Sequence, residues 1–500
     1  MAGRFTRLIP VGAEFAEDDL RRLAEKMTAT QEPTPTPEGK RDPEEDPTIT
    51  AAYTYLGQFV DHDLTFDPTS RLREALTGEE LEVLADFRTP RFDLDNLYGR
   101  GPDDQPYLYD QDGIRMLLGE PMSGNPYDPD ARQVPRGPNR RALIGDPRND
   151  ENRIVAQLHA IFLRFHNQVA DYLAKPEHLG KNVSFDEVRQ QVRWHYQWML
   201  VTDYLPTVVN NHTYLSVFAD RHHPTPRLPG LQNGRLRRMP VEFSVAAFRF
   251  GHSMIRPQYR LNTTVERRPI FLPKDHDSAH VDDAADLGGF RPIPGDWAID
   301  WQFFIDLGPG PGLAATSPLY DPIDRRPQKA YKIDTSLVSP LRDLPPRIAS
   351  HPSMLALRNL ERGNTFKLPS GQAVAKALNE EVIPDRDLVI GKATADAKPT
   401  YLTQIAEGFA GNAPLWAYIL SEAQVMSWRN ARRGVRKNDI PIKLGPVGGR
   451  IVTGVFAALL DGDRTSYLNE GAPFTPIADF TRGEKFGLAE LINVALGRAP

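Results

Sequence analysis

The stretch GDPRNDENRIVAQLHAIFLRFHNQ, residues 145–168, decides the fold class of this 500-residue chain. Apolar side chains in it and just beyond it recur at helical spacing: Ile154, Val155, Leu158, Ile161, Phe162, Phe165 and Val169. This spacing predicts a long amphipathic helix over residues 151–172, buried along one face.

Four polar residues of this stretch allow two interpretations. Arg148 and Glu151 stand three residues apart at the predicted helix start, where Glu151 suits the positive end of the helix dipole. A solvated pair at an ordinary helix start has the same spacing, so the two residues alone define no site. His159 and His166 face one side of the helix, and we interpret them as packed or hydrogen-bonded core histidines rather than a metal pair.

Other segments predict further helices. Ser184 and Glu187 form a capping box ahead of a helix that is expected to end before Pro206. A third helix is predicted after Pro240, up to the residue before Pro257. Helical patterns also cover residues 51–62, 351–361, 370–380, 413–428 and 450–460, whereas strand-like alternation is short and scattered. The sequence therefore predicts a mainly α fold, a single large helical domain with little β structure.

Proline marks the connections between these segments. The chain has 45 prolines, which exceeds the usual fraction of about 5%. They concentrate in residues 32–47, 102–147 and 306–347, which we predict to be connectors. The expected organisation is an extended N-terminal arm with a Pro/Glu-rich linker over residues 1–50, followed by a catalytic domain over residues 51–500.

Composition excludes several classes of protein. A net charge of -6 gives no basic excess to neutralise phosphates, so we expect no nucleic-acid partner. No run reaches the roughly 18 apolar residues of a transmembrane helix, and because the first 20 residues turn acidic before an apolar region forms, we expect no classical signal peptide. We therefore expect a soluble protein, cytoplasmic or exported without a classical signal. The absence of cysteine excludes disulfides, thiolate haem ligation, iron–sulfur clusters and cysteine nucleophiles.

The segment GQFVDHDL, residues 57–64, closes a predicted helix. Gln58 lies three residues before Asp61 and four before His62, so an amide, a carboxylate and an imidazole share one helix face. This arrangement suits a polar site. It equally suits the capped, solvated end of a surface helix.

The segment TPRFDLDNLYG, residues 89–99, carries oxygen ligands. Thr89, Asp93 and Asp95 could project to one side of an irregular loop, and Ca²⁺ takes six to eight oxygens from carboxylates, hydroxyls and carbonyls. The spacing does not match an EF-hand, so ordinary turn-forming aspartates explain it equally well.

The segment AAFRFGHSMIRP, residues 246–257, places His252 directly after Gly251 on an apolar helix. A lone histidine in such surroundings is more often a satisfied core residue than a ligand. A glycine inside a helix costs about 1 kcal/mol and suggests that something bulky packs close to it, which favours a ligand.

Four of these segments, taken in chain order, together resemble the animal-type haem peroxidase superfamily (myeloperoxidase- and peroxidasin-like) in its bacterial branch. They are residues 57–64, 89–99, 145–168 and 246–257. The resemblance runs from about residue 50 to 380. It implies that His62 is the distal histidine with Gln58 beside it, that Arg148 is the catalytic arginine and that His252 is the proximal iron ligand. It also implies haem b esterified by two carboxylates, Asp61 and Glu151.

The resemblance extends to a calcium site and a partner helix. It assigns Ca²⁺ to Asp63, Thr89, the carbonyl of Arg91, Asp93 and Asp95. The segment LRNLERGNTFKLPSG, residues 357–371, looks like a degraded copy of the family's asparagine-containing helix. On this match the carbonyl of Asn359 accepts from the proximal imidazole, and Arg362 and Arg249 lie near haem propionates. Asn152 stands where myeloperoxidase has its sulfonium methionine, so no sulfonium link is expected.

The function implied by the resemblance is reduction of hydrogen peroxide via a ferryl intermediate, with oxidation of small organic, halide or pseudohalide substrates. His62 would act as general acid and base, and Arg148 would stabilise developing charge. One alternative is a fatty-acid dioxygenase of the same superfamily, whose radical tyrosine position is occupied here by Arg249. Another is a calcium-binding adhesion module without haem. The segment GPVGGR, residues 445–450, predicts a tight turn before a helix rather than a phosphate loop.

Overall fold

The computed structural model describes residues 3–10, 12–32, 42–66, 85–86, 88–231, 236, 238–272, 285–308, 327–346, 348–349, 351–398, 400–469 and 471–500. The α-helices of this part of the chain are α1 (Glu17–Lys26), α2 (Ala51–Leu64), α3 (Asp95–Tyr98), α4 (Arg153–Leu173), α5 (Phe185–Met199), α6 (Leu205–Val208), α7 (Asn211–Phe218), α8 (Leu355–Thr365), α9 (Gly371–Ala377), α10 (Leu402–Ile405), α11 (Leu415–Arg429), α12 (Pro446–Gly462) and α13 (Leu488–Ala495).

The strands are few and short: β1 (Gly3–Thr6), β2 (Glu45–Thr50), β3 (Ala85–Asp86), β4 (Met239–Pro240), β5 (Gln258–Tyr259), β6 (Arg268–Pro269), β7 (Lys329–Tyr331), β8 (Val389–Ile390) and β9 (Thr400–Tyr401). β1 pairs antiparallel with β3 and parallel with β4. The antiparallel pairs β2–β7, β5–β6 and β8–β9 are separate ribbons. The prediction of a mainly α fold with little β structure is confirmed.

Helix α4 runs through the centre of the fold. Residues 153–166 are buried on every side, not only along the expected apolar face. α2, α5 and α13 pack around α4. Its polar side chains have internal partners: Gln157 bonds the loop at Trp297 and Ile299, and Arg164 pairs with Asp128. A helix can be buried all round when its polar groups are satisfied in this way.

The expected histidine roles on α4 are confirmed. Nδ1 of His159 lies 3.0 Å from Nδ2 of Asn149. His166 contacts the hydroxyl of Tyr98 at 2.9 Å and the carbonyl of Ile114 at 2.8 Å. Both imidazoles are fully buried. They are hydrogen-bonded core histidines that point to different partners.

Two of the predicted helices contain helical forms other than the α-helix. The capping box of Ser184 and Glu187 is present, but α5 does not end before Pro206. It passes through a π-helix, Leu200–Tyr204, into α6, because the wider turn accommodates a proline that lacks an N–H. The third predicted helix is a π-helix, Glu242–Ala246, followed by the 3₁₀ helix Ala247–Met254, and it ends before Pro257 as expected.

The remaining 3₁₀ helices are short. They span Pro106–Leu108, Pro147–Asp150, Gly180–Asn182, Trp301–Phe303, Ser339–Leu341, Asp385–Asp387, Glu407–Phe409, Lys437–Asp439, Tyr467–Asn469 and Ala478–Phe480.

The glycine-rich segment at 445–450 is not a turn ahead of a helix, as the sequence suggested, but the first turn of α12. The buried carboxylate of Glu422 accepts hydrogen bonds from the backbone N–H groups of Val447 and Gly448, which satisfies donors that a helix start leaves free. A Cβ on Gly448 would lie 2.6 Å from the Ile419 side chain, so glycine permits the close approach of α11.

The N-terminal segment differs from the expected extended arm. α1 is a helix, and its residues Leu20, Leu23 and Ala24 are buried where it packs against α8. β1 joins a small sheet with β4. The middle of the Pro/Glu-rich linker, residues 33–41, lies outside the described residues, and the domain boundary at residue 50 stays a prediction.

Among the described residues, no helix is both long enough and apolar enough to cross a lipid bilayer.

Candidate haem-peroxidase site

The first group of predicted site residues lies on the C-terminal half of α2. The hydroxyl of Tyr204 approaches α2 so closely that a Cβ on Gly57 would lie 2.6 Å from it. A side chain at the first position of the GQFVDHD motif would therefore have to displace the Tyr204 hydroxyl, a reason for glycine that the sequence did not reveal. One residue further along, Gln58 begins the polar face.

His62 is buried and contacts two side chains from the segment that follows Arg148. Its Nδ1 lies 2.8 Å from Oδ1 of Asn149, and its Nε2 lies 3.4 Å from Oε1 of Glu151. Nε2 of Gln58 donates to the same Glu151 oxygen at 2.5 Å. The structure thus brings together Gln58, His62 and Glu151, which are up to 93 positions apart in sequence.

The carboxyl of Glu151 is ionised in these surroundings. Burial alone would raise its pKa, but the nearby imidazole of His62, followed by the charge of Arg148 and the hydrogen bond from Gln58, brings its pKa below the usual value. Asp61, the other predicted ester residue, lies on α2 directly before His62, and its Oδ1 accepts from Thr65 at 3.3 Å.

The guanidinium of Arg148 is fixed by two hydrogen-bond acceptors and an aromatic ring. Its Nη2 donates to the carbonyl of His62 at 3.0 Å and to Oδ2 of Asp146 at 2.8 Å. Its guanidinium also lies 4.6 Å from the ring centroid of Phe66. Burial would raise the pKa of Asp146, but Arg148, His62 and Arg88 outweigh burial, so the pKa is lowered and the carboxylate stays charged. Sequence reasoning missed Asp146.

The second group of predicted residues lies on the 3₁₀ helix Ala247–Met254. Nδ1 of His252 lies 2.7 Å from Nδ2 of Asn359 on α8. Burial, followed by the charge of Arg249, lowers the pKa of His252 to about 3, so the imidazole is neutral. A Cβ on Gly251 would meet nothing within 4 Å, so there is open space beside this histidine.

The orientation of the Asn359 side chain differs from the expected one. The resemblance predicted that the Asn359 carbonyl accepts a hydrogen bond from His252. In the structure the amide nitrogen of Asn359 faces Nδ1 of His252 instead. The carbonyl oxygen instead accepts from Nη1 of Arg249 at 3.4 Å. The reason is that a guanidinium carries only donors and therefore attracts the amide oxygen.

The two predicted propionate partners lie near this pair. Arg249 donates from Nε to the carbonyl of Ser244 at 3.0 Å, and its own carbonyl accepts from Trp416 at 3.2 Å. Arg362 follows Asn359 by one turn on α8, with its guanidinium 5.0 Å from the ring centroid of Phe366. Asn152, at the position of the sulfonium methionine, caps α4 through the N–H of Ile154.

The predicted calcium ligands form an acidic cluster. One carboxylate oxygen each of Asp63, Asp93 and Asp95 lies within 4.8 Å of the others. Burial, and then the charges of Asp93 and Asp95, raises the pKa of Asp63, and burial likewise raises the pKa of Asp95 to about 7. No hydrogen bond of ordinary geometry reaches either oxygen of Asp63 from the described residues.

Thr89 and Arg91 belong to the same loop. The hydroxyl of Thr89 donates to Oδ2 of Asp93 at 2.6 Å. The backbone N–H of Arg91 donates to the carbonyl of Thr89 at 2.8 Å. Nη1 of Arg88 lies 3.3 Å from Oδ1 of Asp95 and offsets part of the negative charge. Three mutually repelling carboxylates, of which Asp63 has no hydrogen bond of ordinary geometry to either oxygen among the described residues, suit a divalent cation.

Comparisons with known proteins agree with the resemblance that the sequence carries. The family model described as animal haem peroxidase matches residues 73–281. The chain is similar to peroxidasin of Drosophila melanogaster, with 25% identity over 337 residues that cover 67% of this chain and 19% of that protein. It is also similar to thyroid peroxidase of Mus musculus, with 32% identity over 26% of this chain and 14% of that protein. The chain thus spans less than a fifth of the length of these two relatives.

Solved structures share the fold over nearly the whole chain. Peroxidase A from Dictyostelium discoideum superposes with a TM-score of 0.60 and 16% identity, covering 97% of this chain and 94% of that one. A fatty acid alpha-dioxygenase from Arabidopsis thaliana gives a TM-score of 0.53 and 14% identity, covering 97% and 76%. The fold is therefore the mainly helical one that these two solved structures share. Together with the family match, it confirms the resemblance to the animal haem peroxidase superfamily.

Proposed function

We propose that this protein binds haem b and reduces hydrogen peroxide, with a small organic molecule, a halide or a pseudohalide as the oxidised substrate. The observation that supports this proposal most strongly is that the segments carrying His62 and His252 pack against each other. α2, which carries His62, packs against the 3₁₀ helix that carries His252, and Thr54 on α2 donates to the carbonyl of Met254.

The residues present fit a haem. Nδ1 of His252 contacts Asn359, so Nε2 is the ring nitrogen that would ligate iron once the Asn359 amide turns its oxygen to Nδ1, and there is open space beside the histidine at Gly251. Asp61 and Glu151 offer the carboxylates for two ester links, and Arg249 and Arg362 offer charges for the propionates. Bound haem would supply the iron at which the O–O bond of peroxide breaks.

His62 and Arg148 would perform the acid–base and electrostatic work. We assign to Nε2 of His62 the removal of a proton from one oxygen of hydrogen peroxide and the delivery of that proton to the departing oxygen. Arg148 would stabilise the negative charge that develops as the O–O bond breaks. Asp146 and the His62 carbonyl fix the guanidinium in place, which keeps it preorganised. Gln58 would orient Glu151 and the groups beside it.

Calcium belongs to the same proposal. Asp63, Thr89, the carbonyl of Arg91, Asp93 and Asp95 would bind Ca²⁺, and their mutual repulsion is the observation that favours a cation. Because Asp63 follows His62 directly, bound Ca²⁺ would also fix the end of α2 and hold the imidazole in position.

The alternative activity in this superfamily is oxygenation of fatty acids. The fold alone is compatible with it, since the Arabidopsis dioxygenase superposes as well. The position three residues before His252 is Arg249, which cannot form a tyrosyl radical. A calcium-binding module without haem chemistry would have no use for the buried contacts of His62 with Asn149 and Glu151.

An absorption spectrum of the full chain, recorded with and without hydrogen peroxide, tests the proposal. We expect a Soret band of histidine-ligated haem that changes on peroxide addition and returns when a reductant is supplied. Peroxide-dependent turnover of a small aromatic reductant, a halide and a fatty acid would be measured in parallel. A haem-loaded chain that oxygenates fatty acid and does not consume peroxide would overturn the assignment in favour of the dioxygenase.

A further inference from the structure

We propose that Asn149 is a positioning residue that fixes the tautomer of His62, with the hydrogen on Nδ1 and the lone pair on Nε2. This inference rests on the proposed peroxidase function, since it concerns the base of that reaction. Asn149 follows Arg148 within the stretch of residues 145–168, but the sequence analysis assigned it no role.

This proposal is based on three buried side chains, His62, Asn149 and His159, that lie in hydrogen-bonding contact one after another. Oδ1 of Asn149 lies 2.8 Å from Nδ1 of His62, and Nδ2 of Asn149 lies 3.0 Å from Nδ1 of His159. His62, Asn149 and His159 are 4%, 0% and 0% exposed, so water does not compete for these contacts. Both distances are those of ordinary hydrogen bonds.

The chemistry of each group fixes the direction of the hydrogen bonds. An amide nitrogen is only a donor, so Nδ1 of His159 accepts, which a neutral imidazole can do. Burial lowers the pKa of His159 to about 3, so this imidazole is neutral. The amide oxygen is only an acceptor and faces His62, so Nδ1 of His62 carries the hydrogen.

The tautomer decides whether His62 is able to act as a base. With the hydrogen on Nδ1, the Nε2 lone pair can take a proton from peroxide, and the imidazolium so formed faces Oε1 of Glu151, which is the charged form in which His62 lowers the pKa of that carboxyl. With the amide reversed, Nδ1 of His62 would accept, and Nε2–H would face Glu151, whose Oε1 is 3.4 Å away. That arrangement offers no lone pair at Nε2. Asn149 thus holds His62 in the reactive form, and His159 holds Asn149.

The test reads the tautomer directly. ¹⁵N NMR of the full chain, labelled at histidine and held in the diamagnetic ferrous carbon-monoxide state, reports which ring nitrogen of His62 carries the hydrogen. The signal is assigned by its loss in His62→Phe. If the chain takes up no haem, the absorption spectrum shows that separately, and the same NMR measurement is made on the chain as purified.

We expect the Nδ1–H form in the natural chain and in Asn149→Asp, because a carboxylate also accepts from Nδ1. In Asn149→Leu we expect the Nε2–H form or a mixture, together with a rate of reaction with peroxide lower by about ten- to a hundred-fold, the usual range for such supporting groups. Asn149→Asp should recover most of the rate, and the KM for the reductant should not change.

His159→Leu provides a second variant, because the amide then loses the acceptor that orients it. We expect a mixture of His62 tautomers. Gln157→Leu is the matched control: it removes a buried amide two residues away on α4, bonded to Trp297 and Ile299 and not to His62. It should leave the Nδ1–H form intact. Nε2–H in the natural chain, or Nδ1–H in both Asn149→Leu and His159→Leu, would overturn the proposal.

Discussion

The candidate site has two halves, one around His62 and the other around His252. In each half the Nδ1 atom of the histidine contacts an asparagine side chain, but the two amides face opposite ways. Asn149 turns its carbonyl oxygen to His62 at 2.8 Å, whereas Asn359 turns its amide nitrogen to His252 at 2.7 Å. The residue behind each amide explains the difference. His159 accepts a hydrogen bond from Asn149, and Arg249 can only donate one to Asn359.

The comparison shows that a histidine–asparagine contact does not fix a tautomer by itself. The third residue determines which end of the amide is presented. On the side of His62 the arrangement already suits a base at Nε2. On the side of His252, iron ligation through Nε2 requires a hydrogen on Nδ1 and therefore a rotated Asn359 amide. We expect that rotation once Arg249 bonds to another acceptor, which a haem propionate would provide.

The largest expected effect separates the two halves by haem content. His252→Ala removes the iron ligand, so we expect loss of the Soret band of histidine-ligated haem. His62→Ala removes no ligand and should retain haem. The measurement is haem per polypeptide together with the absorption spectrum. An unchanged spectrum in His252→Ala would mean that iron is bound elsewhere.

The second prediction concerns chemistry rather than binding. His62→Ala should slow the reaction with peroxide by about a hundred-fold or more, the usual contribution of a positioned acid–base group. Stopped-flow absorbance gives the rate. His195→Phe is the control, because it replaces another fully buried imidazole whose pKa is lowered to about 4 by burial and which contacts Gln191 and Ile477 instead. Equal rates in His62→Ala and the natural chain would remove His62 from the mechanism.

The third prediction addresses the orientation of Asn359. Asn359→Leu leaves Nδ1 of His252 without a partner, and we expect haem affinity to fall by about ten- to a hundred-fold. Asn359→Asp presents an acceptor to both His252 and Arg249, so it should preserve affinity and fix the hydrogen on Nδ1. ¹⁵N NMR of His252 with and without haem measures the tautomer.

The control for this prediction is Asn364→Leu. Asn364 also lies on α8, but it bonds the backbone of Phe15 and not His252. Its loss should leave the haem affinity unchanged. If Asn359→Asp weakens haem as much as Asn359→Leu does, the amide nitrogen and not an acceptor is what His252 needs.

The fourth prediction is that loss of Ca²⁺ affects the half of the site around His62 and not the half around His252. Removal of Ca²⁺ by a chelator, or the change Asp63→Asn, should lower the rate with peroxide and the temperature of unfolding while the histidine-ligated spectrum persists, because Asp63 adjoins His62 and not His252. Asp112→Asn, which alters an exposed carboxylate paired with Arg115, serves as control. Active protein without calcium by elemental analysis would contradict this prediction.

These contrasts also show how far the sequence alone reaches. The period of apolar residues predicted α4, and the spacing in Ser184–Glu187 predicted the start of α5, because both are local properties. The approach of His62 to Asn149, 87 positions away, depends on tertiary packing that no local pattern encodes. The same is true of the Glu422 carboxylate that turns residues 445–450 into a helix start, and of the Arg249 guanidinium that reverses Asn359.

The smallest effect is expected from single ester links, and it too differs between two environments. Asp61 contacts only Thr65 among the hydrogen-bonded described residues, whereas Glu151 also contacts Gln58 and His62. Each carboxylate would form one ester after haem reacts with peroxide in the assembled pocket. No sulfonium link would form, because Asn152 has no thioether. We expect Asp61→Asn to lose one link with little change in rate, and Glu151→Gln to lose one link and also slow the reaction several-fold through its contact with His62. Acid–acetone extraction after peroxide treatment, followed by mass spectrometry of haem peptides, measures the links. Complete release of free haem from the natural chain after repeated turnover would show that neither carboxylate reacts, and the two variants would then differ only in rate.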